Sequence, residues 1–153
     1  MSGSDHARLQ HDAPLTLSRS EAVVAVLVGC VAADGVLRAE EAGRLNEALS
    51  STRWALGTGV EATAGGTTRA ISLIAEHGLP AVFSACAKAI SVEWHATTFA
   101  LAMDLVLADG RLGDRESACV DTLQSALQID GDLARTIVDV LLIKNRASGR
   151  PDP

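Results

Sequence analysis

Two short stretches decide the fold: residues 34–41 read DGVLRAEE, and residues 109–116, which lie 75 positions later, read DGRLGDRE. Aspartate, glycine, leucine and the final glutamate coincide between them. Each stretch directly follows an apolar segment, 22–33 in the first case and 96–108 in the second. Self-similarity at a fixed spacing indicates a duplicated structural unit. The sequence therefore predicts two copies of a helical hairpin, related by an internal pseudo-twofold repeat.

The apolar segments before the two turns are predicted to be helices. Segment 22–33 is rich in valine, so its composition alone also fits a buried strand. Its counterpart, 96–108, carries Asp104 and two threonines that interrupt a pattern of helical period and length. Ser18 and Glu21 match a capping box, in which each side chain accepts a hydrogen bond from the other's backbone. The first helix is therefore expected to begin near residue 18.

The other elements follow from glycine, proline and apolar periodicity. Gly78 to Pro80 is expected to separate two helices, and Asp132 to cap the last one. The predicted helices are 18–33, 39–51, 62–77, 81–91, 95–108, 114–128 and one that begins near 132, with Leu133, Ile137, Val140, Leu141 and Lys144 on one stripe. The predicted fold is all-α: a single bundle of about seven helices over 18–146, with repeat halves 18–57 and 93–130. Flexible tails are expected at 1–17 and 147–153.

Charge and hydropathy narrow the range of partners. The net charge is −6, and segment 93–139 holds nine acidic residues against three arginines. Nucleic acid requires clustered basic residues and is not an expected partner, whereas a cation or a basic surface would be attracted. The longest apolar run has 12 residues, short of the ~20 that cross a bilayer, so no integral membrane segment is expected.

The cysteines and the N-terminus point to the cytoplasm. Cys30, Cys86 and Cys119 are odd in number, widely spaced and each placed in an apolar stretch. This pattern is typical of small buried side chains in a reducing compartment. The first residues also lack the basic and apolar regions of a signal peptide. A cytoplasmic location is therefore predicted.

Turn chemistry alone accounts for every residue that the two stretches share. Gly35 and Gly110 allow a positive φ, which L-residues with side chains adopt at a cost. Glu41 and Glu116 are expected at the third helical position. A carboxylate there stabilises the positive end of a helix by about 0.3–1 kcal/mol. The shared residues are thus compatible with a purely structural hairpin.

The alternative is a site for a hard cation, because Ca²⁺ and Mg²⁺ prefer carboxylate and carbonyl oxygens. The EF-hand loop offers a direct test. With Gly110 at its sixth position, Asp109 and Glu116 fit, but Leu105 and Leu107 occupy the first and third ligand positions. An EF-hand is therefore excluded, and a cation would need carboxylates from elsewhere. Asp104 lies about 140° around the helix from Asp109 and does not share its face.

The stretches 32–41 and 107–116, each at the end of an apolar helix, resemble the TerB-like family of bacterial tellurite-resistance proteins. The resemblance implies an all-helical bundle with internal pseudo-symmetry and a role in resistance to tellurite and other chemical stress. It also implies an acidic metal-binding surface. Carried over by position, the implied metal ligands are Asp34, Glu41, Asp109 and Glu116, with Asp104 as a further candidate.

Three functions are compatible with these features. The first is a non-enzymatic TerB-like module in the tellurite or chemical-stress response, whose acidic hairpins bind a divalent cation (Ca²⁺ or Mg²⁺) or a basic partner. The second is an interaction scaffold without metal, which binds other stress-response proteins or a second copy of the chain. The third is an enzyme of thiol or oxyanion chemistry, which would require exposed thiols of low pKa. The cysteine positions do not indicate such thiols, and we expect no enzymatic activity.

Overall fold

The computed structural model describes residues 15–32, 38–51, 61–108 and 112–146. These residues form seven α-helices and no strand, with a short 3₁₀ helix, Val92–Trp94, before the fifth. The helices are α1 (Arg19–Val31), α2 (Ala39–Ser51), α3 (Glu61–His77), α4 (Leu79–Ala89), α5 (His95–Val106), α6 (Asp114–Ala126) and α7 (Gly131–Lys144). The predicted all-α helical bundle is confirmed.

Helix α1 is the centre of the core. Its residues 22–30 are all buried, and it packs against helices α2 to α6. A helix that is apolar around its whole circumference must be enclosed by neighbouring helices. This enclosure explains why the composition of α1 would also suit a buried strand. The predicted capping box at its start is confirmed: Ser18 N donates to Glu21 Oε1 at 3.1 Å, and Glu21 N donates to Ser18 Oγ at 3.2 Å.

Gly29 of α1 packs directly against side chains of α4. A Cβ atom at this position would lie 2.7 Å from Cε1 of Phe83 and 3.0 Å from Cδ2 of Leu79. Phe83 is fully buried and cannot move into solvent. The packing of these two helices therefore depends on the missing side chain of Gly29.

The predicted break between α3 and α4 is too long. Gly78 alone separates the helices, with φ of 85°, and the predicted start at residue 81 is wrong because Leu79 and Pro80 already belong to α4. Proline suits the first turn of a helix, where its missing N–H costs nothing. Four predicted helix ends also lie two residues too late, since α1, α4, α5 and α6 end at Val31, Ala89, Val106 and Ala126.

The last helix differs from its prediction in its cap. Asp130 is the cap, because its Oδ2 accepts a hydrogen bond from Asp132 N at 3.2 Å, so the predicted cap at Asp132 is wrong. The buried residues of α7 and its C-cap are Ala134 and Asn145. The predicted stripe is only partly enclosed, because its members Leu133, Val140 and Lys144 are exposed. Helix α7 packs mainly against α5.

Parts of the sequence-based predictions fall outside the described residues. These parts are both predicted tails, apart from 15–17 at the end of the first, and most of the two turns, at 33–37 and 109–111. The internal repeat consequently stays a prediction. No helix among the described residues has the length and apolar character needed to cross a bilayer.

Candidate functional site

The two hairpin glutamates occupy equivalent positions at the start of α2 and α6. Glu41 Oε2 accepts a hydrogen bond from Arg38 N at 3.1 Å, and Glu116 Oε2 accepts one from Gly113 N at 2.7 Å. Each carboxylate thus satisfies a backbone donor that has no partner within its helix. The predicted third helical position is confirmed for both residues. One oxygen of each carboxylate is committed to the cap.

The described residues do not place the other predicted metal ligands beside these glutamates. Asp34 and Asp109 lie outside them. Among the residues that are described, no group of three or more His, Cys, Asp or Glu side chains could hold a metal ion. Binding of Ca²⁺ or Mg²⁺ at the hairpins stays a prediction.

The side chain of Asp104 on α5 contacts two adjacent residues at the end of α7, Lys144 and Asn145. Its Oδ1 lies 2.9 Å from Lys144 Nζ, and Asn145 Nδ2 donates to the same oxygen at 3.1 Å. Lys144 also reaches Oδ2 at 3.2 Å. The Asn145 amide is buried, so this contact satisfies a polar group that would otherwise lack a partner. Through these contacts, Asp104 links α5 to the C-terminal end of α7.

His95 joins the C-terminal ends of two helices. Its Nδ1 lies 3.0 Å from the carbonyl oxygen of Leu127, and its Nε2 lies 3.0 Å and 2.9 Å from those of Ala87 and Ile90. The ring is buried. Both nitrogens are engaged by backbone at the ends of α4 and α6, so this histidine serves packing and is not placed as a general base.

Two of the three cysteines form a buried thiol pair. Cys30 on α1 and Cys119 on α6 have their Sγ atoms 3.8 Å apart, and Cys119 Sγ lies 3.5 Å from the carbonyl oxygen of Gly29. The predicted burial of all three cysteines is confirmed. The pairing has no signal in the sequence, because the two residues are 89 positions apart.

The thiols of this cluster differ in acidity. A hydrogen bond with Cys30 lowers the pKa of Cys119, because it stabilises the thiolate. The pKa of Cys30 is raised by the same hydrogen bond and by burial. Burial raises the pKa of the third thiol, Cys86, to about 12. Cys119 is thus the thiol that ionises first.

The outward side of α7 exposes a row of large apolar side chains. The exposed fractions are 43% for Leu133, 57% for Val140 and 65% for Ile143. Spacings of seven and three residues place them on one side of a helix, together with Thr136. We call Leu133, Thr136, Val140 and Ile143 the α7 face. Asp132 and Asp139, both exposed, lie along one edge of this face.

Comparison with known proteins gives no relative. No protein-family model, curated protein or solved structure matches the chain. The resemblance to the TerB-like family accordingly stays a prediction that depends on the two turn motifs. Among the described residues, the α7 face is the most prominent exposed apolar surface.

Proposed function

We propose that this protein is a non-enzymatic interaction module that binds a basic, amphipathic helix of another protein through the α7 face. The observation that carries the proposal is the exposure of Leu133, Val140 and Ile143 along one side of a single helix. Single exposed apolar residues are normal on a protein surface, but an aligned row of them is typical of a binding site. A helix laid against such a row is an established mode of peptide recognition.

Charge indicates the kind of partner. The edge of the α7 face is mixed, since Asp132 and Asp139 lie there beside the exposed Arg135, but the whole chain has a net charge of −6. This charge would steer a partner helix that carries basic residues toward the protein during encounter. The net charge therefore favours a basic partner over a neutral one.

The same charge disfavours a second copy of the chain as the main occupant. Two copies would each bring a net charge of −6, and like charges repel during encounter. This is the reason for choosing a different protein as the partner.

One further observation supports a non-enzymatic role. His95 has both ring nitrogens engaged by backbone carbonyls. The biological setting that we propose is the one implied by the TerB-like resemblance, a cytoplasmic response to tellurite or related chemical stress in bacteria. Growth of a gene-deletion strain on tellurite, with and without a plasmid copy, tests that setting independently of the binding surface.

The binding proposal is tested with a defined probe. The probe is a fluorescent helical peptide of about 18 residues, or five turns, with leucine on one face and lysine on the other. Fluorescence anisotropy is expected to show saturable binding that weakens with salt. A peptide of the same pattern with glutamate in place of lysine is expected to bind at least tenfold more weakly, which corresponds to about 1.4 kcal/mol.

Variants of the chain locate the surface. The double replacement Val140→Ser and Ile143→Ser is expected to weaken binding of the lysine peptide at least tenfold. Val92→Ser is the matched control, because Val92 is 81% exposed but lies in the 3₁₀ helix outside the α7 face. Equal affinity of the double variant and the wild type would contradict the proposal. A dimer in sedimentation experiments that the double variant abolishes would assign the face to a second copy instead.

A further inference from the structure

The contact between Cys30 and Cys119 has chemical consequences beyond packing. We propose that these two residues are an oxidation site, at which a hydroperoxide converts the two thiols into a disulfide that joins α1 to α6. The inference does not depend on the α7 face or on any partner protein. It starts from the position of the two sulfurs in the folded chain.

The geometry brings the two sulfurs into van der Waals contact. They lie 3.8 Å apart on two helices that pack against each other. A disulfide bond is about 2.05 Å long, so the sulfurs must approach by about 1.8 Å, a movement shared between two side chains. Both side chains are enclosed in the core, which keeps the pair together and away from other protein molecules. The reaction is therefore expected within one chain.

The difference in acidity assigns the two roles. Cys119 has the lowered pKa and supplies the attacking thiolate, while Cys30 keeps its proton and acts as the resolving thiol. Cys86 is held as an unreactive thiol, because burial raises its pKa to about 12. The chain thus contains its own matched control for thiol reactivity.

The reaction balances in two steps. The Cys119 thiolate attacks one peroxide oxygen, the S–O bond forms as the O–O bond breaks, and the leaving alkoxide or hydroxide takes up a proton. The Cys30 sulfur then attacks the sulfur of the Cys119 sulfenic acid, and the hydroxyl group leaves as water with the proton of Cys30. Two thiols are oxidised by two electrons, and the hydroperoxide is reduced to an alcohol (or water) and one further water.

Peptide mapping of the peroxide-treated, folded protein tests the proposal. After treatment with hydrogen peroxide, the protein is unfolded in N-ethylmaleimide so that its buried thiols are labelled. Trypsin then places the three cysteines on separate peptides, 20–38, 70–88 and 116–135. Without reduction, we expect peptides 20–38 and 116–135 as a linked pair, two hydrogens lighter than their sum. Peptide 70–88 is expected to carry N-ethylmaleimide. Recovery of 20–38 and 116–135 as maleimide adducts, or links that involve 70–88 in equal amount, would overturn the proposal.

Cysteine variants confirm the assignment of roles. Cys86→Ser is expected to keep the linked pair, and Cys119→Ser to lose it completely. Cys30→Ser removes the resolving thiol, so dimedone should trap a sulfenic acid on peptide 116–135. If a core variant fails to fold, mapping of the wild type and of Cys86→Ser decides alone. Links formed mainly between two protein molecules, seen as dimers on a non-reducing gel, would contradict the intramolecular reaction.

Discussion

Replacing Gly29 by alanine will destabilise the protein, because the added methyl group has no space. It would lie 2.7 Å and 2.9 Å from Cε1 and Cζ of Phe83, and 3.0 Å from Cδ2 of Leu79. Contacts under 3.0 Å require the neighbour to shift, and Phe83 is fully buried among other core residues. Helix α4 must therefore move away from α1, or the phenyl ring must leave its rotamer.

Two opposing terms set the size of the effect. Overpacking a well-packed core costs about 1–3 kcal/mol. Alanine in place of glycine within a helix returns about 0.5–1 kcal/mol, because the unfolded chain loses less conformational entropy. The overpacking term is the larger, and we expect the free energy of unfolding to fall by about 1–2 kcal/mol. In urea, with a slope of about 2 kcal/mol per molar, the midpoint should fall by about 0.5–1 M.

Urea unfolding followed by circular dichroism measures this change, and Gly43→Ala is the matched control. Gly43 lies inside α2, and a Cβ atom there would have no neighbour within 4 Å. Only the propensity term applies, so this variant should gain about 0.5–1 kcal/mol. A Gly29→Ala protein that is as stable as the wild type, or more stable, would refute the packing of α1 against α4.

Three further changes have expected outcomes. Asp104→Ala should lower the free energy of unfolding by about 1–3 kcal/mol, since the buried Asn145 amide loses its acceptor. Asp104→Asn keeps an acceptor and should lower it by under about 1 kcal/mol. Thermal unfolding measures both changes. Glu116→Ala should lower the free energy of unfolding by about 0.3–1 kcal/mol, because the helix cap is lost. The loss should be the same in EDTA and in millimolar Ca²⁺. Because the folded-state pKa of Cys86 is raised from 9.0 to about 12, the unfolded thiol ionises first as pH rises, and stability should fall between pH 9 and 12 by up to about 4 kcal/mol. Urea midpoints measured across this pH range should not show this part of the decline for Cys86→Ala.

Each of these outcomes has a specific contradiction. Equal losses for Asp104→Ala and Asp104→Asn would mean that the charge of Asp104, and not its acceptor oxygen, matters. A loss for Glu116→Ala that is larger in Ca²⁺ than in EDTA would assign the carboxylate to the predicted cation site. A Cys86→Ala protein with the same alkaline decline as the wild type would mean that other groups cause it.

The sequence predicts those features that depend on neighbours along the chain. The capping box at Ser18 and Glu21, and the cap positions of Glu41 and Glu116, each involve residues three positions apart, and all are confirmed. Helix bounds come out within about two residues because caps and glycine act locally. The error at Leu79 arose from counting Pro80 with the break when it belongs to the first turn.

Features that depend on tertiary packing could not be predicted in this way. Helix α7 is apolar on most of its surface, so periodicity shows that it is a helix but not which side faces α5. The predicted stripe consequently mixes exposed members, such as Val140, with half-buried ones, such as Ile137. The contact of Cys30 with Cys119 likewise joins residues 89 positions apart, which no local pattern records.

The central claim, that the α7 face is the binding surface, is tested most directly by NMR. The measurement is a titration of the ¹⁵N-labelled chain with the lysine–leucine peptide, followed through the backbone amide shifts. We predict that the largest shift changes fall within Gly131–Lys144, with small changes at the starts of α2 and α6. Changes centred instead on 38–41 and 113–116, with α7 unaffected, would contradict the account and would place binding at the acidic hairpins.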